Sequence, residues 1–150
     1  MNEDALRDRL SNALLDTVSD AIIYADDQGV IRFWNKGAEH LFGHAAAEVV
    51  GQSLDIIIPQ PQRARHWEGF QRVMETGVSR YGAGDVMAVP ALRKDGTRIS
   101  VEFTIVPLRD AAGRMEGMAS ILRDVTKRFE ETRALRREIA DLKQASNPPR

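Results

Sequence analysis

The sequence predicts an α+β fold built around one five-stranded antiparallel sheet. Two strand segments joined by a tight turn come first, helical segments follow, and three further strand segments lead into a charged helix. A chain of 150 residues can bury one compact core but hardly two. We therefore expect an N-terminal amphipathic helix at 1–19, a core domain at 20–124, a C-terminal helix at 125–144 and a disordered tail at 145–150.

The terminal segments both have the pattern of amphipathic helices. Apolar residues recur at four-residue steps near the N-terminus, at Leu6, Leu10, Leu14 and Val18. Near the C-terminus a short coiled-coil seam follows steps of three and four residues, at Thr132, Leu135, Ile139 and Leu142. These two stripes predict a homodimer that associates through its terminal helices.

The strand segments are recognised by their turns. An acidic turn with a glycine separates 21–25 from 30–34, which predicts a first hairpin. Asp95-Gly96 separates 81–92 from 98–108 and predicts a type I′ turn, and a second glycine-containing turn precedes the strand 115–123. Within 98–108 the apolar residues alternate with polar ones, so one face of that strand is expected to be buried.

The middle of the chain is helical. Ala, Glu and Leu dominate 35–51, where two glycine-terminated stretches predict two short helices. After a proline-rich break, 62–77 resumes helical spacing and ends at Gly77, which predicts a longer helix.

Composition argues against several classes of function. With 21 basic and 22 acidic residues the net charge is -1, so no nucleic-acid or membrane partner is expected. The N-terminus is too polar for a signal peptide and the apolar runs are too short to span a bilayer, which predicts a cytoplasmic protein. We expect no enzymatic activity, because no nucleophilic serine elbow, carboxylate pair with a histidine, or phosphate-binding glycine loop is present.

The order of these motifs resembles the PAS domain family over roughly residues 11–127. The resemblance implies a sensory or protein-interaction module, with helices on one face of the sheet and a cavity between them. It also implies that residues 124–126 join the last strand to an output helix, although their side chains could simply cap that helix. The segments that carry it are Asp20-Ala21-Ile22, Trp34-Asn35, Ala38-Glu39, Leu41-Phe42-Gly43, Glu48-Val49-Val50-Gly51, Arg93-Lys94-Asp95-Gly96-Thr97 and Arg123-Asp124-Val125-Thr126.

Within that family the stretch Arg63-Ala64-Arg65-His66, after a proline, is similar to the haem-binding oxygen sensors of the FixL and Dos type. This likeness implies that His66 is the proximal ligand of a b-type haem that senses a diatomic gas: O2, CO or NO. Phe70 and Val73 lie four and seven residues after His66 and share its helix face. The alternative is a structural histidine bonded to the backbone or to a neighbour.

The same likeness assigns further cofactor-binding residues. Arg72 and Arg80 match basic residues that pair with haem propionates, and Phe103 and Ile105 match apolar residues around the bound gas. Met87 is a candidate distal ligand, although a methionine on a strand more often fills the core. The pattern departs from FixL-type sensors in lacking their distal arginine.

Three readings of function therefore stay open. The first is a haem-based gas sensor that signals to an unknown effector through the C-terminal helix. The second is a cofactor-free dimerisation or protein-interaction module, and the third is a sensor of another small apolar ligand.

The chain has no cysteine, which excludes the covalent flavin adduct of photoreceptor PAS domains but not bound flavin. His40 and His44 are four residues apart, but Gly43 is expected to end their helix, which favours surface histidines over a metal site.

Overall fold

The computed structural model describes residues 2–78 and 88–146 and contains a five-stranded antiparallel sheet of order β2-β1-β5-β4-β3. The strands are β1 (Ala21–Asp26), β2 (Ile31–Trp34), β3 (Val89–Leu92), β4 (Arg98–Arg109) and β5 (Met115–Asp124). The α-helices are α1 (Glu3–Leu15), α2 (Lys36–Phe42), α3 (Ala46–Val49), α4 (Arg63–Thr76) and α5 (Thr126–Ser146). Two short 3-10 helices, Leu54–Ile57 and Gln60–Gln62, precede α4. The predicted α+β fold with its five-stranded antiparallel sheet is confirmed.

The first and last strands pair at the centre of the sheet. β1 runs antiparallel to β5 from Ala21 opposite Leu122 to Asp26 opposite Gly117. The N-terminal hairpin is therefore joined to β3, β4 and β5 only by contacts between segments far apart in sequence. On β4 the predicted alternation is present: Ile99 and Val101 are buried, while Thr104 on the other face is exposed.

The core lies between one face of the sheet and the short helices. Phe42 and Ile31 are fully buried, and the ring of Phe42 lies 5.3 Å from that of Trp34. Val49 of α3 and Val101 of β4 complete the most deeply buried group. Burying these apolar side chains out of water is the main force that holds α2 and α3 on the sheet.

Asn35 is a buried polar residue that ties the core together. Its Oδ1 accepts hydrogen bonds from the backbone N–H groups of Ile22 and Ala38, each at 2.8 Å, and the second of these caps α2. Its Nδ2 donates to the carbonyl oxygens of Thr17 (3.2 Å) and Asp20 (3.1 Å). One side chain thus connects the segment before β1, β1 itself and α2.

The Asp95-Gly96 turn differs from the expected type I′. That turn needs positive φ at both central residues, but the described residues with positive φ are all glycines. Gly96 has φ 86°, its N–H donates to the carbonyl of Arg93, and the Arg93 N–H donates to Thr97. The hairpin therefore has a three-residue loop in which only Gly96 is left-handed.

Element boundaries shift at the ends. α1 ends at Leu15, four residues before the predicted N-terminal helix 1–19 would end. α5 extends to Ser146, into the stretch expected to be disordered, while 147–150 lie outside the described residues. Of the predicted strand 81–92 the structure shows β3, and residues 79–87 lie outside the described part. None of the helices within 2–78 and 88–146 is long and apolar enough to cross a membrane.

Candidate functional site

The candidate site centres on α4, which contacts β5. The 3-10 helix Gln60–Gln62 leads directly into α4, and Gly77 ends it with φ 69°. Val73 is buried, while His66, Trp67 and Phe70 are half-buried on the same helix. The hydrophobic spacing thus turns one side of α4 towards the core and places the histidine on it.

Three aromatic rings of α4 form a cluster. The ring of His66 lies 4.8 Å from that of Trp67 in an edge-on arrangement and 6.2 Å from that of Phe70. Trp67 and Phe70 are 5.2 Å apart, and both pack against the hydrophobic core. The histidine therefore has apolar neighbours on its own helix.

This environment favours the neutral imidazole. Burial lowers the pKa of His66 below its usual range, and the nearby carboxylate of Asp55 acts in the opposite direction. The Nδ1 atom of His66 is buried and has no hydrogen-bond partner among the described residues. A half-buried histidine whose burial favours the neutral form fits the role of a haem ligand.

Side-chain hydrogen bonds donated by Trp67 and Arg63 hold the start of α4, and the sequence pattern does not predict them. The Nε1–H of Trp67 donates to Oδ1 of Asp55 at 2.7 Å. Arg63 donates to the backbone carbonyls of Ile58 (3.1 Å) and Asp55 (3.3 Å). The Trp67 ring also lies against Gly29 of the β1–β2 turn, where a Cβ atom would collide with it. Only the helical register of Trp67 and the missing side chain at Gly29 could have suggested this contact.

The other predicted site residues fall into two groups. Phe70 and Phe103 pack against the same core cluster, and Ile105 is half-buried further along β4. Arg72 is exposed and lies about 120° around α4 from His66, so it does not share the histidine's face. The predicted residues Arg80 and Met87 lie outside the described part of the chain.

The junction between the sheet and α5 is hydrogen-bonded as a unit. Asp124 accepts from the backbone N–H of Thr126 (2.9 Å), and the Thr126 hydroxyl accepts from the Ser100 N–H of β4 (3.0 Å). Arg128 on the first turn of α5 forms an ion pair with Glu102 of β4 at 2.6 Å. The start of α5 therefore depends on the position of β4.

The two remaining histidines, His40 and His44, lie on different sides of the end of α2. α2 ends at Phe42, and Gly43 has φ 80°, so His40 and His44 do not share a helix. Among residues 2–78 and 88–146 no group of three His, Asp or Glu side chains is placed to hold a metal ion.

The chain belongs to the PAS family: residues 15–130 match its model, described as the PAS fold. It is 31% identical over 140 residues to the sensor protein FixL of Bradyrhizobium diazoefficiens, covering 91% of this chain and 27% of FixL. It is 28% identical over 116 residues to the oxygen sensor protein DosP of Escherichia coli, covering 75% of this chain and 14% of DosP. The chain thus spans only a small part of these relatives.

Solved structures support the same family. A PAS domain from Colwellia psychrerythraea is 29% identical with a TM-score of 0.69, covering 83% of this chain and 99% of that domain. An RNA-binding light-oxygen-voltage receptor is 26% identical with a TM-score of 0.74, covering 93% of this chain and 39% of the receptor. Sequence relatives and solved structures thus agree on the PAS family.

Proposed function

We propose that this PAS domain binds b-type haem through His66, senses a diatomic gas and has no enzymatic activity of its own. The observation that carries the proposal is the half-buried imidazole of His66 among apolar neighbours on the core side of α4, where burial lowers its pKa and favours the neutral form. The similarity to FixL and DosP supports it. When bound, haem would supply the iron that takes up O2, CO or NO.

Each predicted site residue has a role in this proposal. His66 would hold the iron through a ring nitrogen, while four apolar side chains would exclude water: Phe70, Val73, Phe103 and Ile105. Arg72 and Arg80 would pair with the propionates, and Arg72 reaches them only from the solvent side of α4. Met87 would be the distal ligand.

The proposed signal leaves through α5. α4 contacts β5, and β5 continues through residues 124–126 into α5. A small displacement at α4 would alter the hydrogen bonds between Ser100 and Thr126 and the ion pair between Glu102 and Arg128. We therefore expect the start of α5 to have two arrangements, and binding of the gas would favour one of them over the other.

Absorption spectra test the haem site. Protein purified from haem-replete cells should show a Soret band that shifts on reduction and again on addition of CO. His66→Ala should lose the band, and added imidazole should restore part of it. His40→Ala is the matched control, since His40 is exposed on α2. A His66→Ala spectrum identical to the wild type, or a featureless wild type after haem titration, would contradict the proposal.

The second candidate is a cofactor-free interaction module that dimerises through its terminal helices. The observation favouring it is that no residue of α1 or α5, both fully described, is buried, although each carries exposed large apolar side chains. A colourless protein whose mass rises with concentration would support this candidate. A yellow protein would indicate bound flavin instead, without the cysteine adduct, and a colourless protein that binds apolar compounds would indicate another small ligand.

A further inference from the structure

Two buried polar atoms at the start of α4 lack hydrogen bonds within residues 2–78 and 88–146. They are Oε1 of Gln62 and Nδ1 of His66. Buried side-chain polar atoms in proteins are nearly always paired, so each unpaired atom calls for an explanation. Here they belong to residues four apart on one helical path, and the structure shows no hydrogen bond between them.

Their placement suits a bond between them. Gln62 has helical backbone angles (φ -97°, ψ -5°) and lies exactly one turn before His66. Side chains four residues apart lie one above the other on a helix face. A glutamine side chain has three rotatable bonds and can reach a ring in that position.

Their chemistry is complementary in one tautomer only. An amide oxygen accepts hydrogen bonds and does not donate them. A neutral histidine carries its proton on Nδ1 or on Nε2, so only the Nδ1–H form can donate to Gln62. A single hydrogen bond then satisfies both buried atoms and leaves the Nε2 lone pair free.

The carboxylate of Asp55 is not bonded to His66 in the structure. Its Oδ1 accepts from Trp67 Nε1 at 2.7 Å and lies 4.0 Å from Arg63 Nε, while Nδ1 of His66 has no hydrogen bond. Among the described residues Gln62, one turn before His66, carries the buried acceptor atom that is itself unpaired.

We infer that Gln62 is a positioning residue: its Oε1 accepts a hydrogen bond from Nδ1–H of His66 and presents Nε2 as the free ring nitrogen. The hydrogen bond stands without any cofactor, whereas its use in presenting a haem ligand rests on the proposed function. A partner on the second ring nitrogen sets the tautomer and orientation of a metal-bound histidine.

Nitrogen NMR of the cofactor-free protein tests the bond directly. Long-range 1H–15N correlations should show His66 mainly as the Nδ1–H tautomer. Gln62→Leu should shift the ring towards Nε2–H, whereas Gln62→Glu, which keeps the acceptor, should retain Nδ1–H. Gln71→Leu, an exposed glutamine of the same helix, is the matched control. A wild-type Nε2–H ring, or a tautomer unchanged in Gln62→Leu, would overturn the inference.

A second readout separates the two proposals. If the protein binds haem, Gln62→Leu should weaken haem affinity roughly tenfold to a hundredfold and lower the iron–histidine stretching frequency of the reduced protein. Unchanged values in both measurements would overturn the positioning role. If the wild type binds no haem, the gas-sensor proposal fails, and the tautomer experiment alone decides whether His66 donates a hydrogen bond to Gln62.

Discussion

The two faces of the sheet differ sharply although they are made of the same strands. The inner face is covered by the short helices and carries Ile23, Trp34 and Val101, all buried. On the outer face the start of α5 reaches Glu102 through Arg128, and three apolar side chains are exposed: Val106 (50%), Leu108 (46%) and Ile121 (38%).

Strand register explains how one chain makes both faces. Residues opposite each other in an antiparallel pair point to the same side, so Val106 shares the outer face with Ala119 and Tyr24. The Tyr24 side chain lies against Gly117, where a Cβ atom would meet it. We infer from the contrast that the inner face supplies folding stability, while the outer face and the apolar stripes of α1 and α5 are available for association.

The largest expected effect is on the inner face. Phe42→Ala removes a fully buried ring and leaves a cavity beside Trp34, and should lower the free energy of unfolding by about 3–5 kcal/mol. Urea denaturation measures the loss. Leu108→Ala on the outer face is the control and should change the monomer by less than about 0.5 kcal/mol. Comparable losses in the two variants would remove the distinction between the faces.

Asn35→Ala should have the next largest effect. It removes the cap of α2 and leaves buried backbone groups of β1 and the preceding segment unpaired, at a cost of about 2–3 kcal/mol. Thermal and urea unfolding would detect it. Asn12→Ala, exposed on α1, should be nearly neutral. A small effect at Asn35 would mean that the core does not depend on this network.

A substitution on the outer face should change self-association of the chain rather than its folding stability. If copies of the chain associate through the outer face, Ile121→Glu, which places a charge at one end of the exposed apolar strip, should raise the dimer dissociation constant at least about tenfold, with little change in monomer stability. Sedimentation equilibrium measures this. Gln71→Glu adds the same charge on α4 and should leave the mass distribution unaltered. A dimer insensitive to Ile121→Glu would place its interface elsewhere.

The smallest effect concerns pH. Burial acts to raise the pKa of Asp26, but hydrogen bonds from Arg32 and from the backbone of Val30 and Gln28 outweigh it and lower the pKa below its usual value. The hydrogen bonds to ionised Asp26 therefore stabilise the fold above the unfolded-state pKa of Asp26. This stabilisation is lost as the pH falls through its folded-state pKa. Because Arg32 is exposed and Asp26 only half-buried, this contribution should amount to less than about 1 kcal/mol.

Asp26→Asn should flatten the acid limb of stability measured by urea denaturation against pH. Asp27→Asn, at the exposed next position, is the control. An acid limb identical in wild type and Asp26→Asn would show that these hydrogen bonds add no stability.

Much of the fold could be read from local patterns. The alternation on β4, the glycine that ends α4 and the apolar spacing that turns His66 towards the core are all properties of short stretches. The turn at Asp95-Gly96 was located but given the wrong type, because the same dipeptide suits both a two-residue and a three-residue loop.

The candidate site was predicted less completely. The likeness to haem-binding PAS domains pointed to His66, but neither the Asp55 to Trp67 hydrogen bond nor the unpaired Gln62 was expected. Arg72 was assigned from the same likeness and lies on the solvent side of α4. These features depend on burial and partners, which spacing along one helix does not reveal.

The sequence by itself determined the elements, their order and the family, because turns, caps and hydrophobic periodicity act within a few residues. Only the tertiary structure decided that β1 pairs with β5, that Trp67 rests on Gly29 and that Asn35 joins three segments. Those contacts bring together residues far apart in the chain, and their stability comes from exclusion of water and mutual hydrogen bonding in the folded core.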